Sequence, residues 1–251
     1  MSVKMVPRHT RINMIMHWFN AFCWLFLLAT GLGLIKNENL QLFNGFWAET
    51  MRALFGGGAN LLRVHESVGL IWAGGFLLYS LIFAKKHVLP FISEILKIDW
   101  RRDLLWLLKK GVLMTLGQKA LNRLSALMLK KGFDAELAAP CIPNQGFYNV
   151  GQKLFAVPSL LGGAVIVVTG LIMFLSDSHI TNTTIVQWAI FIHFVTVVLV
   201  LAGLLVHIYM AAIAAGERPA FISMFSGTVP EDYAKHHHRL WYDDIKKEAA
   251  P

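Results

Sequence analysis

Four apolar runs, near residues 14–35, 64–84, 157–175 and 186–214, set the first constraint on this chain. Each reaches the roughly 20 residues that a helix needs to cross a hydrocarbon layer about 30 Å thick. A layer without water tolerates only backbone that closes its own hydrogen bonds. The expected fold class is therefore all-α, an integral membrane bundle of four transmembrane helices. Composition agrees: 56% of the 251 residues are hydrophobic and only 15% are charged.

Charge placement orients the bundle. Lys4, Arg8 and Arg11 precede the first run without an acid, and Lys85 to Lys153 holds twelve Lys or Arg against five acids. The short loop after the third run has Asp177 and neither Lys nor Arg. The positive-inside rule then places the N-terminus, the 85–156 loop and the C-terminus in the cytoplasm. The net charge of +8 reads as topology, so nucleic acid is not an expected partner. Cys23 in a span and Cys141 in a loop are not expected to pair, and no Cys-x-x-Cys-His is present for covalent haem attachment. The first run is long enough to span and lacks a clear small-residue cleavage site, so no cleavable signal is read.

Residues 1–214 form the expected transmembrane domain, and 215–251 a soluble tail in which His236, His237 and His238 are read as solvated. The loop between the first two spans has a run of glycines at 56–58 and a predicted short helix from Phe46 to Leu54. From Asp99 to Lys131, leucines 104, 105, 107 and 108 interleave with Lys109 and Lys110. This predicts an amphipathic helix at the cytoplasmic surface, held either by anionic lipid or by a partner protein.

Four histidines lie within or at the edge of the spans: His17, His65, His193 and His207. A polar ring in lipid is costly and needs a partner. His193 and His207 are fourteen residues apart on one run, almost four helical turns. They therefore share a face and are separated by roughly 21 Å, from a rise of about 1.5 Å per residue. Span direction sorts the rings by depth, His65 with His193 near the periplasm and His17 with His207 near the cytoplasm. Two imidazoles are the axial set of a six-coordinate b-type haem, so the pattern predicts two haem b groups stacked across the membrane. His9, His87 and His179 are read as interfacial. Gly69 and Gly203, each one turn from a candidate ligand, and Gly31, fourteen residues after His17, fit either close approach of a porphyrin or ordinary helix packing. Arg11 and Arg63 fit either propionate pairing or interfacial anchoring. A proton-coupled transporter with a histidine relay is the competing class; the chain lacks internal inverted repeats and has no acid within its spans except Glu66 at an edge.

The stretch Gly146-Phe-Tyr-Asn-Val-Gly-Gln-Lys153 resembles the Tyr-Asn-x-Gly-Gln-Lys motif of the membrane cytochrome b (gamma) subunit of respiratory formate dehydrogenases. The run Ile192 to Ala211 is similar to the fourth helix of that family. The tail His236 to Ile245 is similar to its His-His-x-Arg-Trp-Tyr ending, with Leu240 inserted between Arg and Trp. The loops 36–63 and 85–156 are longer than the family pattern. The resemblance implies an electron-transfer subunit in the bacterial inner membrane, without catalytic residues for formate oxidation. A molybdenum- or tungsten-pterin subunit would oxidise formate and an iron–sulfur subunit would pass electrons on. They would enter at the haem of His65 and His193 and reach quinone, menaquinone or ubiquinone, from that of His17 and His207. The resemblance also implies a quinone site at Asn149, Gly151 and His207, with Gln152 as a further hydrogen bonder, and a heterotrimer able to associate further. On the residues alone Asn149 reads first as the N-cap of the third span; the motif match turns the preference to the quinone reading. The same architecture could serve a hydrogenase or a thiosulfate reductase, which the partner subunit would decide.

Overall fold

The computed structural model describes residues 4–176, 178–180 and 182–248. Four helices in it are long and apolar enough to cross a membrane. These are α1 (Arg11–Leu34), α3 (Gly58–Phe83), α7 (Val150–Phe174) and α8 (Thr183–Ile208). Their outward side chains are large and apolar and lack protein cover, with Phe22 68%, Leu81 71% and Leu199 68% exposed, as a lipid solvent requires. Asp177, one of the charges used to orient the bundle, lies outside the described residues.

Local chemistry sets the helix ends. Thr10 accepts the Asn13 N–H at the start of α1, and Asn182 accepts those of Thr184 and Ile185 at the start of α8. The short helix α2 spans Phe46–Leu54, the predicted range. Gly56 and Gly57, at φ +71° and +118°, then turn the chain into α3 through backbone that side chains rarely adopt. α3 passes through one wide π-turn, Ala84–Val88, into α4 (Leu89–Leu96). α8 ends in a second, Tyr209–Ile213. α7 starts seven residues before the predicted span, because Asn149 and Gln152 close a capping box at its N-terminus.

The long helices pack as two hairpins. α1 lies along α3 and α7 along α8, and α3 touches α7. Cys23, Trp72 and Ile166 are buried where α1, α3 and α7 meet, and Trp72 Nε1 donates to Asn20 Oδ1 at 3.0 Å. Among the described residues, α8 makes no extended backbone contact with α1 or α3. Both cysteines are free.

A folded cap closes the end of the bundle at which the described residues begin and end. Strand β1 (Met5–Pro7) pairs antiparallel with β2 (Thr228–Pro230), Val6 opposite Val229. Three helices complete it: α9 (Arg218–Ser226), α10 (Glu231–His237) and α11 (Arg239–Glu248). Val6, Val229, Tyr233, Ala234 and Tyr242 form its core. The solvated reading of the tail is corrected at His238, which is fully buried and donates Nδ1–H to the Gly146 carbonyl at 2.8 Å.

The predicted amphipathic helix is α5 (Trp100–Lys130), broken at Gly117 (φ +77°). A short turn of helix, α6 (Ala135–Ala138), follows it. Two lysines of α5, Lys109 and Lys110, turn into the protein instead of lying on its surface as the interleaving implied. Lys109 is buried and donates to the carbonyls of Leu137 and Ala139 at 2.7 and 2.6 Å, and Lys110 pairs with Glu217 at 2.9 Å. The ammonium meets the hydrogen-bonding need of these loop carbonyls, sharing that of Ala139 with the Ser125 hydroxyl at 3.3 Å.

The α7–α8 seam depends on Gly162, where an added Cβ would lie 2.6 Å from Val200 Cγ2, a β-branched group with little freedom to move. Gly162→Ile is expected to destabilise the bundle by about 1–3 kcal/mol, read as a lower thermal midpoint in detergent. Val200→Ala in the same chain should restore part of the loss.

Candidate functional site

The four span histidines come from three helices. α1 carries His17, α3 carries His65, and α8 carries His193 and His207. The structure brings His65 within electrostatic reach of His193, and His17 within reach of His207. All four rings are half-buried. The His65–His193 pair lies toward the end opposite the cap, and the His17–His207 pair at the cap end.

The surroundings of the two pairs differ. His65 Nδ1 lies 2.9 Å from Thr30 Oγ1, and His193 Nδ1 lies 2.9 Å from Thr169 Oγ1. The residue after each threonine is a glycine. A Cβ on Gly31 would come 3.2 Å from His65 Cε1, and one on Gly170 3.6 Å from His193 Cε1. At the cap end, the ring of His207 stacks on Phe155, with centroids 4.4 Å apart and planes 11° apart, and His17 meets Trp18 edge-on. Gly203 accommodates Phe155, since a Cβ there would sit 3.3 Å from its ring. Gly69 faces Leu27, as ordinary packing would have it.

These residues fit a haem b at each depth. Each site offers two imidazoles from facing helices, and α8 stands off from α1 and α3 at the backbone level, as a broad planar ligand between them requires. Among the described residues no group of three or more His, Cys, Asp or Glu side chains converges to hold a bare ion. Paired imidazoles suit an iron whose other four nitrogens come from a porphyrin.

Asn149 and Gln152 cap α7. Asn149 Oδ1 accepts the Gln152 N–H and Gln152 Oε1 accepts the Asn149 N–H, both at 2.9 Å. The capping alternative for Asn149 is thus realised, through its oxygen alone. Gly151 lies against the Trp106 ring, 3.7 Å from where its Cβ would be. His207 does not touch these residues; Phe155, one turn further along α7, stands against it. Arg11 and Arg63 are both exposed.

Two motifs that lie far apart in sequence meet at the start of α7. Arg8 Nη2 donates to the Phe147 carbonyl at 2.7 Å, with its guanidinium 4.7 Å over the Phe147 ring and 5.0 Å over the Trp241 ring. His238 holds the Gly146 carbonyl, and the Leu240 N–H donates to the Gln145 carbonyl at 3.0 Å. Burial, with the nearby Arg8 charge, pushes His238 down to about 3, so the ring is neutral and its Nδ1–H is the donor. The backbone ahead of Asn149 is therefore clamped from both chain ends. Arg8 reads in sequence only as an orienting charge and His238, although inside the tail motif, as solvated, so sequence reasoning missed both as site residues.

This is the architecture of a membrane cytochrome of b type. The chain belongs to the prokaryotic cytochrome b561 family, whose model matches residues 8–130 and 131–227. It is similar to the formate dehydrogenase cytochrome b556 subunit of Haemophilus influenzae, 26% identical over 94% of this chain and 82% of that protein. It is also similar to the formate dehydrogenase cytochrome b556(fdo) subunit of Escherichia coli, 22% identical over 96% and 94%. The nitrate-inducible cytochrome b556(Fdn) subunit of E. coli is 30% identical over 43% of this chain and 49% of that protein.

Beneath the site, Glu217 ties the cap to α5. It accepts from Lys110 at 2.9 Å and from Tyr233 Oη at 2.9 Å, and lies 3.4 Å from His237 Nδ1. Burial alone would raise its carboxyl, but His237 and Lys110 outweigh that and hold it near 2, below the ordinary 4.5. A depressed carboxylate contributes stability that is complete above its unfolded value and is lost as pH falls through its folded one. Cap stability is therefore expected to drain as pH drops from 4.5 toward 2, read as rising protease sensitivity of the tail. Glu217→Gln should weaken that dependence, leaving the part due to Glu231, whose carboxyl is lowered by the hydrogen bond from Tyr242.

Proposed function

We propose that this chain is the di-haem membrane subunit of a formate dehydrogenase complex, carrying electrons from an iron–sulfur partner to quinone. The observation that carries the reading is the pairing of four imidazoles at two depths, on three helices of a cytochrome b561-family bundle. The names of its relatives supply the donor. His65 and His193 would hold one haem b and His17 and His207 the other. Bound haem supplies one-electron transfer.

The chain's own residues supply the path and the quinone site. A quinone carbonyl accepts hydrogen bonds, and Asn149 still has its amide N–H groups to offer because the cap uses only its oxygen. Gly151 lets the ring approach the backbone, with the Trp106 indole as its floor. Gln152 likewise keeps its amide N–H groups for a second contact, since its oxygen is committed to the box. Phe155 connects this region to His207. The clamp by Arg8 and His238 fixes the backbone at Gly146 and Phe147, just ahead of Asn149.

The positive-inside bias supports an orientation with the cap in the cytoplasm of a bacterium and the His65–His193 pair near the periplasm. Quinone reduction at the cap end would then draw protons from the side opposite electron entry, making turnover electrogenic. The partners would be a molybdenum- or tungsten-pterin subunit and an iron–sulfur subunit, assembled as a heterotrimer.

The test is His207→Ala in the assembled complex. The reduced-minus-oxidised α-band should fall to about half, with quinone reduction abolished and one b-type haem retained. Retention of both haems in this variant would overturn the ligand assignment. Co-purification with a subunit that reduces an artificial acceptor with formate checks the donor.

A further inference from the structure

We infer that Thr30 and Thr169 are positioning residues that hold His65 and His193 in the iron-ligating tautomer and lower the potential of the haem between them. The inference rests on the reading of these two rings as axial ligands.

The same device occurs twice. Thr-Gly-Leu stands at 30–32 on α1 and again at 169–171 on α7. Thr30 Oγ1 donates to the Phe26 carbonyl at 2.9 Å, with the Leu27 carbonyl at 3.2 Å. Thr169 Oγ1 donates to the Val165 carbonyl at 2.7 Å, with the Ile166 carbonyl at 3.2 Å. A hydroxyl has one proton, and here the helix carbonyl takes it. Each oxygen can then only accept from the histidine 2.9 Å away, so the imidazole carries its hydrogen on Nδ1. A neutral ring with Nδ1–H presents its lone pair on Nε2, the atom left to face a metal. Both threonines are buried, 1% and 5% exposed, so water does not compete for the bond. Gly31 keeps a Cβ off the His65 edge, which it would approach to 3.2 Å, whereas a Cβ at Gly170 would make ordinary contact with His193 at 3.6 Å.

A hydrogen bond accepted from Nδ1–H makes the ligand more basic. A more basic axial pair favours the oxidised iron, so the potential falls. His17 and His207 have aromatic neighbours instead, and among the described residues no hydroxyl bonds to either ring. The bundle thus treats its two depths differently. The lower potential falls at the end far from the cap, and a downhill gap opens toward the cap.

The experiment uses the intact complex and redox titration of its b-type absorbance, with low-temperature EPR of the oxidised haems. In Thr30→Val and Thr169→Val, one of the two midpoint potentials should move upward with its EPR signal altered. It should move further in the double variant, and the second potential should stay in place. Thr30→Ser and Thr169→Ser keep the hydroxyl and should retain wild-type values. Loss of one haem in the valine variants, with serine variants normal, supports the same role. Unchanged potentials in the double valine variant, or equal effects of valine and serine, would overturn it. His65→Ala is the control: if it retains both haems, the ligand reading is what has failed.

Discussion

A polar ring in a hydrocarbon layer has no water to turn to, so its hydrogen-bonding capacity must be met by the protein or by what the protein binds. That constraint organises the bundle. Each of the two rings far from the cap spends Nδ1 on a threonine of the helix beside it. The helices must then be arranged so that histidine meets threonine within each hairpin, α1 with α3 and α7 with α8. The hairpins in turn bring His65 toward His193 and His17 toward His207, with little backbone contact between α8 and either α1 or α3. Packing within a hairpin and pairing between hairpins are thus two uses of the same rings.

The cap follows a similar economy. Its two strands and three helices bury a small core, yet the bonds it sends outward converge on a few carbonyls, those of Gln145, Gly146 and Phe147. Those residues lead directly into the capping box of α7. Order in the cap is thereby transmitted to the first turn of a span, where the quinone site is proposed. Lys109 serves the neighbouring loop in the same way, by filling carbonyls at 137 and 139.

Much of this was legible from residue order. Span lengths follow from hydropathy, the helix at Phe46–Leu54 has its predicted bounds, and the long helix from Trp100 is within a residue of expectation at each end. The fourteen-residue spacing of His193 and His207 carries depth information because helical rise is constant. What escaped detection depended on contacts between distant segments. Thr-Gly-Leu is too short a repeat to be noticed until both copies are seen against histidines. A tail with three histidines and many charges looks solvated unless one knows that β1 and Gly146 receive it. Lys109 and Lys110 differ in nothing from surface lysines except the acceptors that tertiary structure places beside them. Asn149 is an intermediate case: its type suited either a cap or a ligand contact, and the amide divides so that one atom serves the first and leaves the other available.

The pairing of β1 with β2 has a consequence for biogenesis. Val6 precedes all four spans in the chain and its partner Val229 follows them, so the strands can pair only after all four spans have been made. Until then the early strand has an unpaired edge and Arg8 lacks the ring of Trp241. An even number of crossings is needed to return the late strand to the side of the early one. A chain that skipped a span would leave the two strands on opposite sides of the membrane, where they could not pair.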